Sequence, residues 1–461
     1  MRDWKGLRVV VLGLARQGKA AARFFSEHGA QVVASDLKPL DDLRPACEEL
    51  AGLPIEFVLG GHPPGLLAGA DLLCLSGGVP ADLPLAQQAR AAGVGLTNDA
   101  QVFLDACPAR TIGITGSAGK TTTTALVGRM AEHHLAGSGA RAWVGGNIGR
   151  PLLAVLPEIQ PNDWVVQELS SFQLELMTAS VHVAAVLNVT PNHLDRHHTM
   201  QAYTEAKARL LGHQEASGTA VLCREDLGSW ALRDRVRGEL IAFGRDDHEL
   251  DGTFVADGGV CLRRHGRLLR LLPLSDIRLR GEHNLLNVLA ACAVAAAAEL
   301  SAEAMAAAVR AFEGVPHRLE FVRRLGGADW YNDSIGTAPE RAMAAIRAFD
   351  EPIVLLAGGR DKDLPWDSFA DVVSQRVDHL VLFGEAADKV GRAVQAAMAR
   401  QATPRPESID RCQTLAQAVQ AAARRAEAGD VVLLSPGGTS FDEFPDFEAR
   451  GGAFRSLVQA L

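Results

Sequence analysis

GITGSAGKTTTT, residues 113–124, is the stretch that decides the fold. It follows a short apolar run and precedes a helix-like segment, so a glycine-rich turn joins a predicted strand to a predicted helix. Backbone N–H groups left free by such a turn, with the positive end of the helix dipole, form a cradle for phosphate. In this pattern Lys120 supplies a mobile positive charge for the terminal phosphates, and the Thr121 hydroxyl is placed to ligate Mg²⁺.

The match to the usual phosphate-loop pattern, G-x-x-x-x-G-K-[ST], is incomplete. Ile114 stands where the first glycine would be, and the chain has Gly116-x-x-Gly119-Lys120-Thr121 instead. The alternative interpretation is a glycine-rich turn that carries an incidental lysine. The flanking strand and helix patterns favour the phosphate loop over that alternative.

Length and composition exclude several classes of protein. A chain of 461 residues with 48% hydrophobic residues predicts roughly three domains of ~150 residues each. A net charge of −9 argues against nucleic acid as a partner, and no apolar run reaches the ~18 residues of a membrane span. Neither a signal peptide nor a C-x-x-C pair is present, and the seven scattered cysteines predict free thiols in the cytoplasm.

The first hundred residues alternate strand-like and helix-like segments. Residues 7–13 and 31–36 read as two buried strands joined by a helix, and the second strand ends on Asp36. An acid at this distance from a glycine turn is typical of a dinucleotide fold, but the turn is Gly13-x-x-x-x-Gly18 and not G-x-G-x-x-G. This unit therefore favours a nucleotide-binding α/β domain over one specific for NAD.

Two further strands end in residues that suit a metal or a catalytic role. In DWVVQELSSFQLE, residues 163–175, Glu168 ends an apolar run downstream of the phosphate loop, the usual position of a Mg²⁺ carboxylate. In VHVAAVLNVTPNHLDRH, residues 181–197, His193 follows another apolar run. A surface glutamate and a structural histidine are the alternatives, and the position of both residues at strand ends argues against them.

An alanine-rich helix follows, with Asn284 and Asn287 one turn apart near its start and hence on one face. A helix cap and a polar surface residue would explain the two asparagines equally well. Beyond it, strands alternate with helices to the end of the chain. We therefore expect α/β domains at residues 1–107, 108–315 and 316–461: a Rossmann-like domain, a P-loop-type ATPase domain with a mostly parallel sheet, and a second Rossmann-like domain.

An ordered set of short motifs spreads over nearly the whole chain. It comprises GITGSAGKTTT, GGNIG, QELSSFQLE, LNVTPNHLDRH, YTEAKARL, GEHNLLN, VPHRLE, NDSIGT, LLAGGRDK and LSPGGTSFDEFPDFEARG. With this set the chain resembles the ATP-dependent Mur ligases of peptidoglycan synthesis. The last motif and QELSSFQLE resemble the corresponding segments of the family member that adds D-glutamate.

The resemblance implies three domains, for a UDP-linked substrate, for ATP and for an amino acid. It implies that ATP phosphorylates the L-alanyl carboxylate of UDP-N-acetylmuramoyl-L-alanine and that the amine of D-glutamate attacks the acyl phosphate. Lys120, His193 and Lys207 are the implied catalytic residues. Two Mg²⁺ ions are implied, one held by Thr121 and Glu168 and one by His193 and a carbamylated Lys207.

The resemblance also implies the remaining binding residues. Those for ATP are Gly116, Ser117, Ala118, Gly119, Lys120, Thr121, Thr122, Asn284, Asn287, His317, Arg318 and Asp333. Those for the UDP-linked substrate are Gly13, Asp36, Ser76, Gly77, Gly78 and Asn147. Those for D-glutamate are Thr337, Lys362, Ser440 and Phe447.

The chain departs from the family pattern in three places. Ser117-Ala118 replaces Thr-Asn in the phosphate loop, Ile335 stands where many relatives have lysine, and Gly437-Gly438 replaces Ala-Cys or Ala-Ala. A related Mur or folylpolyglutamate-type ligase with another acceptor or amino acid is therefore an alternative. A non-catalytic nucleotide-binding or redox-cofactor module is another. We expect a cytoplasmic monomer whose partners are small molecules, with neither a nucleic-acid nor a membrane partner.

Overall fold

The protein is described by a computed structural model that covers residues 3–461, the side chain of Asp195 excepted. The chain divides into two compact units. The first contains the residues up to 278 together with 282–312, and the second contains 279–281 together with 313–461. Among the described helices, none has the length and apolar character needed to cross a membrane.

The first part of unit 1 is a parallel sheet with helices between its strands. Over residues 3–106 the strands are β1 (Arg8–Leu12), β2 (Gln31–Asp36), β3 (Ile55–Leu59), β4 (Leu72–Leu75) and β5 (Gly95–Asn98). The helices are α1 (Arg16–Glu27), α2 (Leu40–Glu49), α3 (Pro84–Ala91) and α4 (Asp99–Ala106). The strand order is β3-β2-β1-β4-β5, and all neighbours run parallel. Because both faces are covered, β1 and β4 are continuous apolar runs.

The second part of unit 1 is built on a larger sheet. Its described strands are β6 (Arg110–Thr115), β7 (Ala142–Gly146), β8 (Trp164–Glu168), β9 (Val183–Val186), β10 (Thr219–Cys223), β11 (Glu239–Phe243), β12 (Gly252–Ala256), β13 (Gly259–Arg264) and β14 (Arg267–Pro273). Its helices are α5 (Lys120–Leu135), α6 (Ser171–Leu174), α7 (Leu194–His197), α8 (Met200–Gly212), α9 (Leu227–Trp230), α10 (Glu282–Ala297) and α11 (Ala302–Ala311).

The order of this sheet positions the site. It runs β14-β13-β12-β11-β10-β9-β6-β8-β7, antiparallel only across β12, β13 and β14. Strands β9, β6 and β8 are therefore adjacent and parallel. Their carboxyl ends lie at one edge, so the phosphate loop after β6, Glu168 at the end of β8 and the segment after β9 come together there.

Unit 2 is a third α/β sheet. Its described strands are β15 (Glu320–Leu325), β16 (Ala328–Asn332), β17 (Ile353–Gly358), β18 (His379–Phe383), β19 (Ser408–Cys412) and β20 (Val431–Gly437). Its helices are α12 (Pro339–Ile346), α13 (Asp367–Arg376), α14 (Ala387–Met398), α15 (Leu415–Arg425) and α16 (Phe447–Ala460). The order is β15-β16-β20-β17-β18-β19, with only β15 antiparallel to its neighbour. One core packs α12, α13 and α14 on the sheet and the other packs α15 and α16.

Candidate functional site

The phosphate loop turns into α5 at Gly119, which has φ 80° and caps the helix. A Cβ at this position would overlap the Asn287 side-chain oxygen, so both the backbone angle and the close contact require glycine. The N–H groups in the first turn of α5 have no intrahelical acceptor, and they supply the donors expected of a phosphate cradle.

Two N–H groups in the middle of the phosphate loop donate hydrogen bonds to Asn188, on the segment after β9. Ser117 N–H donates to the Asn188 carbonyl oxygen at 3.0 Å, and Ala118 N–H donates to Asn188 Oδ1 at 2.8 Å. The sequence pattern predicts several outward-facing N–H groups in the loop, without saying which. These two differ because the segment after β9 lies directly beside the loop and accepts their hydrogen bonds.

Two lysines converge on one carbonyl oxygen of this loop. Lys120 Nζ donates to the Gly116 oxygen at 2.8 Å and Lys207 Nζ donates to the same atom at 2.9 Å. Lys207 projects from α8 and is only 1% exposed. Burial, with a smaller effect of the Lys120 charge, lowers the pKa of Lys207 to about 6. The amine of Lys207 is therefore mostly neutral at pH 7 to 8.

Glu168 ends β8 with its carboxyl group 1% exposed. Its Oε1 accepts from Asn147 Nδ2 at 2.9 Å, whereas its Oε2 is buried and has no hydrogen-bond partner among the described residues. A buried carboxylate oxygen without a partner is costly unless a cation neutralises it. This oxygen and the Thr121 hydroxyl, at the start of α5, fit Mg²⁺, which prefers oxygen ligands. The contact of Asn147 with Glu168 was not predicted from the sequence.

His193 lies on the exposed segment after β9, with φ 53°. The ring of Phe172 lies edge-on to the His193 ring, with 5.2 Å between the ring centroids. The same ring stacks on His197, with 5.3 Å between the centroids. Buried His197 is hydrogen-bonded to Ser171 Oγ at 2.9 Å and lies 3.0 Å from a Glu175 oxygen. Sequence reasoning missed His197. Its position one helical turn after His193 was the available signal.

The asparagines at the start of α10 form a pair beside the phosphate loop. Asn287 Nδ2 donates to Asn284 Oδ1 at 3.0 Å, which agrees with the predicted common face. Asn287 also touches Gly119, as the clash with a Cβ there indicates. The structure therefore places one of the two predicted ATP-binding asparagines against the phosphate loop itself.

The residues expected at the UDP-linked substrate meet at the carboxyl end of the first sheet. Asp36 accepts hydrogen bonds from Leu14 N–H at 2.7 Å and Lys38 N–H at 3.0 Å, and so shapes the turn after β1. A Cβ on Gly13, at φ 85°, would stand 3.2 Å from the Ser76 Cβ. Gly77 and Gly78 follow Ser76 directly, and Gln17 Nε2 donates to the Gly146 oxygen at 3.3 Å, next to Asn147.

In unit 2, the ATP residues expected from the sequence gather around the end of β16. His317 has φ 64°, and its Nδ1 atom lies 3.1 Å from Asn332 Nδ2. Arg318 is the next residue in the chain. Buried Asp333 accepts from Ser435 Oγ at 2.7 Å. Burial raises the pKa of Asp333 to about 7, so this carboxyl is partly protonated near neutral pH.

The predicted D-glutamate residues lie on loops that one arginine ties together. Arg450, only 1% exposed, donates to Ser334 Oγ at 3.0 Å, to the Ser334 oxygen at 2.9 Å and to the Gly438 oxygen at 3.1 Å. These loops carry Thr337 and Ser440, and Phe447 begins the helix of Arg450. Burial and the charges of Arg341 and Arg450 lower the pKa of Lys362. Sequence reasoning missed Arg450, because an arginine within a helix is usually exposed and nothing in the local sequence indicates that this one is buried.

Three family models match the chain in order. They are the Mur ligase MurD-like N-terminal domain at residues 7–98, the Mur ligase middle domain at 114–295 and the Mur ligase glutamate ligase domain at 317–438. The curated UDP-N-acetylmuramoylalanine–D-glutamate ligase of Symbiobacterium thermophilum is 41% identical over 98% of both chains. The protein of the same name from Ruminiclostridium cellulolyticum is 35% identical over 100% of this chain and 98% of its own.

Solved structures agree on the fold. The UDP-N-acetylmuramate–alanine ligase MurC of Thermotoga maritima has a TM-score of 0.59 at 18% identity and covers 98% of this chain and 99% of its own. MurF of Acinetobacter baumannii has a TM-score of 0.55 at 16% identity, and the match covers 97% of this chain and 93% of MurF. With the three family models, these matches confirm the three-domain α/β fold expected from the sequence.

Proposed function

The chain belongs to the Mur ligase family, and we propose that it joins D-glutamate to UDP-N-acetylmuramoyl-L-alanine during peptidoglycan precursor synthesis. It is an ATP- and Mg²⁺-dependent ligase that forms a carbon–nitrogen bond. The observation that carries the amino-acid assignment is the 41% identity over 98% of the chain to a protein named as the D-glutamate ligase. The match of residues 7–98 to the MurD-like N-terminal domain disfavours a folylpolyglutamate-type enzyme.

The reaction must turn a carboxylate into an acylating agent. The carboxylate oxygen attacks the γ-phosphorus of ATP, ADP leaves, and the resulting acyl phosphate has phosphate as its leaving group. The neutral amine of D-glutamate then attacks the acyl carbon, the nitrogen loses a proton, and the tetrahedral intermediate expels phosphate to leave an amide. Because the first step brings two anions together, cations at the phosphate loop are the chief requirement.

The residues around Gly116 support this chemistry. Lys120 is hydrogen-bonded to the phosphate loop itself and can turn from the Gly116 oxygen to the terminal phosphates of ATP. Asn147 holds one oxygen of the Glu168 carboxylate and leaves the other free for a cation. We place one Mg²⁺ at Thr121 and Glu168 and a second at His193 and Lys207. Bound Mg²⁺ neutralises charge on the phosphates and on the substrate carboxylate.

Lys207 can ligate a cation only after it has been modified. An ammonium beside Lys120 repels a metal ion, but a lysine with a pKa of about 6 is mostly a free amine at neutral pH. Its nitrogen can attack CO₂ and lose a proton, which gives a carbamate whose single negative charge is shared by two oxygens. We therefore propose that Lys207 is carbamylated in the active enzyme.

The remaining site residues are proposed in three groups. Those for ATP are Gly116, Ser117, Ala118, Gly119, Thr122, Asn284, Asn287, His317, Arg318 and Asp333, those for the UDP-linked substrate are Gly13, Asp36, Ser76, Gly77, Gly78 and Asn147, and those for D-glutamate are Thr337, Lys362, Ser440 and Phe447. We also propose a cytoplasmic monomer with domain boundaries after Cys107 and Val315. The residues matched by the three family models fall on separate sides of these boundaries.

Phosphate release tests the proposed function. The purified protein is supplied with Mg²⁺-ATP, UDP-N-acetylmuramoyl-L-alanine and one amino acid at a time from a panel of D- and L-amino acids. D-Glutamate should support phosphate release with an equal amount of dipeptide product, and omission of any substrate should abolish product. Faster turnover with another amino acid, or none with D-glutamate, would contradict the proposal.

A further inference from the structure

The segment that follows β9 is hydrogen-bonded to the phosphate loop through one asparagine side chain. Asn188 Oδ1 accepts from Ala118 N–H at 2.8 Å, and Asn188 Nδ2 donates to the Ala118 carbonyl oxygen at 3.1 Å. Only a side-chain amide of this length offers a donor and an acceptor at that spacing. The side chain of Asn188 thus pairs with the backbone of Ala118 as a neighbouring strand would.

A second attachment lies beside the first. Ser117 Oγ donates to the Thr190 carbonyl oxygen at 2.9 Å and accepts from Thr190 N–H at 2.9 Å. The same hydroxyl is hydrogen-bonded to Tyr203 at 3.0 Å. Tyr203 lies on α8 one turn before Lys207, so the helix that carries Lys207 is joined to the loop as well.

These contacts link groups that the proposed reaction needs at fixed separations. The phosphate loop leads into Lys120 and Thr121, while Asn188 and Thr190 lie on the short segment that leads to His193. The pairing of β6 with β9 ends at Thr115 and Val186, and a further backbone bond joins Ser117 N–H to the Asn188 carbonyl oxygen. The bonds that hold the N–H and carbonyl groups of Ala118 come from the Asn188 side chain. The Asn188 side chain supplies the constraint that the ladder lacks.

We infer that Asn188 is a positioning residue for catalysis, which holds the Ser117–Ala118 backbone and thereby sets the phosphate loop against the His193 segment. Both polar atoms of its side chain are bonded to the Ala118 backbone, so its role is assigned to positioning rather than to the reacting groups. The inference rests on the proposed function, because the consequence of lost positioning is slower ligation.

Asn188→Asp is the sharpest variant. The aspartate keeps the size and the acceptor but loses the donor, and its second oxygen faces the Ala118 carbonyl. Asn188→Ala removes both hydrogen bonds. Asn188 is only partly buried, so neither change opens a large core cavity. Asn162→Asp is the matched control, because Asn162 is exposed in the turn before β8, at the end opposite Glu168.

Amide hydrogen exchange tests whether Asn188 holds the Ala118 backbone, without any measurement of catalysis. In the wild-type protein, free of nucleotide and metal, the amides of Ser117 and Ala118 should exchange slowly. Asn188→Ala should speed exchange at Ala118 by about tenfold or more, since the acceptor of that N–H group is lost, whereas Asn188→Asp keeps the acceptor and should speed exchange less. Unprotected exchange of Ala118 in the wild-type protein would overturn the inference, and that measurement needs no variant.

Steady-state kinetics test whether the loss of this positioning slows ligation. In the Asn188 variants kcat/KM for ATP should fall by about 10²-fold, the usual cost of a small misplacement of catalytic groups. KM for D-glutamate and the melting temperature should change little, and Asn162→Asp should match the wild type in every measurement. Faster exchange with kcat/KM for ATP within twofold of wild type would overturn the inference. Ligation by the wild-type enzyme would leave the proposed function intact in that case, whereas its absence would refute the proposed function.

Discussion

Lys120 and Lys207 donate hydrogen bonds to the same atom, the carbonyl oxygen of Gly116, at 2.8 and 2.9 Å. Burial, and to a smaller extent the charge of Lys120, lowers the pKa of the Lys207 amine to about 6. At neutral pH the Lys207 amine is therefore mostly uncharged, as the proposed carbamylation requires.

Replacement of Lys207 should remove most of the activity. Lys207→Ala deletes the proposed carbamate, and a small carboxylate such as acetate should partly restore turnover by occupying the place of its oxygens. Lys207→Arg should not respond to acetate, because the guanidinium keeps its charge and fills the space. Turnover is measured with and without acetate. Full activity of Lys207→Ala in its absence would refute the role of Lys207.

Lys120→Ala should abolish ligation and leave the fold intact, because Lys120 is only partly buried and lies at the phosphate loop rather than in a hydrophobic core. A positioned cation of this kind contributes on the order of 10³-fold to the rate. Activity is compared with that of Lys5→Ala, which removes an exposed lysine near the start of the chain. Turnover of the Lys120 variant near that of the control would contradict the assignment of the ATP site.

Asp99 should make stability depend on pH. It is buried at the start of α4, where Gln173 Nε2 reaches its oxygens at 3.3 and 3.5 Å, and burial raises its pKa to about 6. The folded state therefore binds a proton between about pH 4 and 6 that the unfolded state has released, so wild-type stability falls as pH rises through this window.

Asp99→Asn removes the cost of the buried charge. Denaturant unfolding should find the variant more stable than wild type at pH 7.5, by on the order of 2 kcal/mol, with the difference fading toward pH 4. Asp105→Asn, at an exposed position of the same helix, serves as the control. A destabilised Asp99→Asn at pH 7.5 would mean that the charged carboxylate stabilises the fold.

Lys362 should govern the affinity for the amino acid. Ile335 carries no charge, and Lys362 is the cation we assign to a D-glutamate carboxylate. Lys362→Ala should raise KM for D-glutamate by about 10- to 100-fold, the value of a charge-assisted hydrogen bond. KM for ATP should stay within twofold. An unchanged KM for D-glutamate would place the carboxylate elsewhere.

The sequence predicted the residues that follow strands better than the contacts that hold them. Glu168 and the phosphate loop could be placed because parallel strands end at one edge of a sheet. The pairing of Asn188 with Ala118, 70 residues apart, depends on the register of two strands. The contact of Arg450 with Ser334, across 116 residues, depends on how a helix packs. Neither relationship leaves a local pattern in the chain.

The central claim is that phosphate leaves from an acyl phosphate made on the substrate carboxylate. It is tested with UDP-N-acetylmuramoyl-L-alanine labelled with ¹⁸O in that carboxylate, in the presence of Mg²⁺-ATP and D-glutamate. Mass spectrometry of the released phosphate should find one ¹⁸O atom transferred for each dipeptide formed. Unlabelled phosphate released alongside product would contradict the account, because the carboxylate would then never have carried the phosphoryl group.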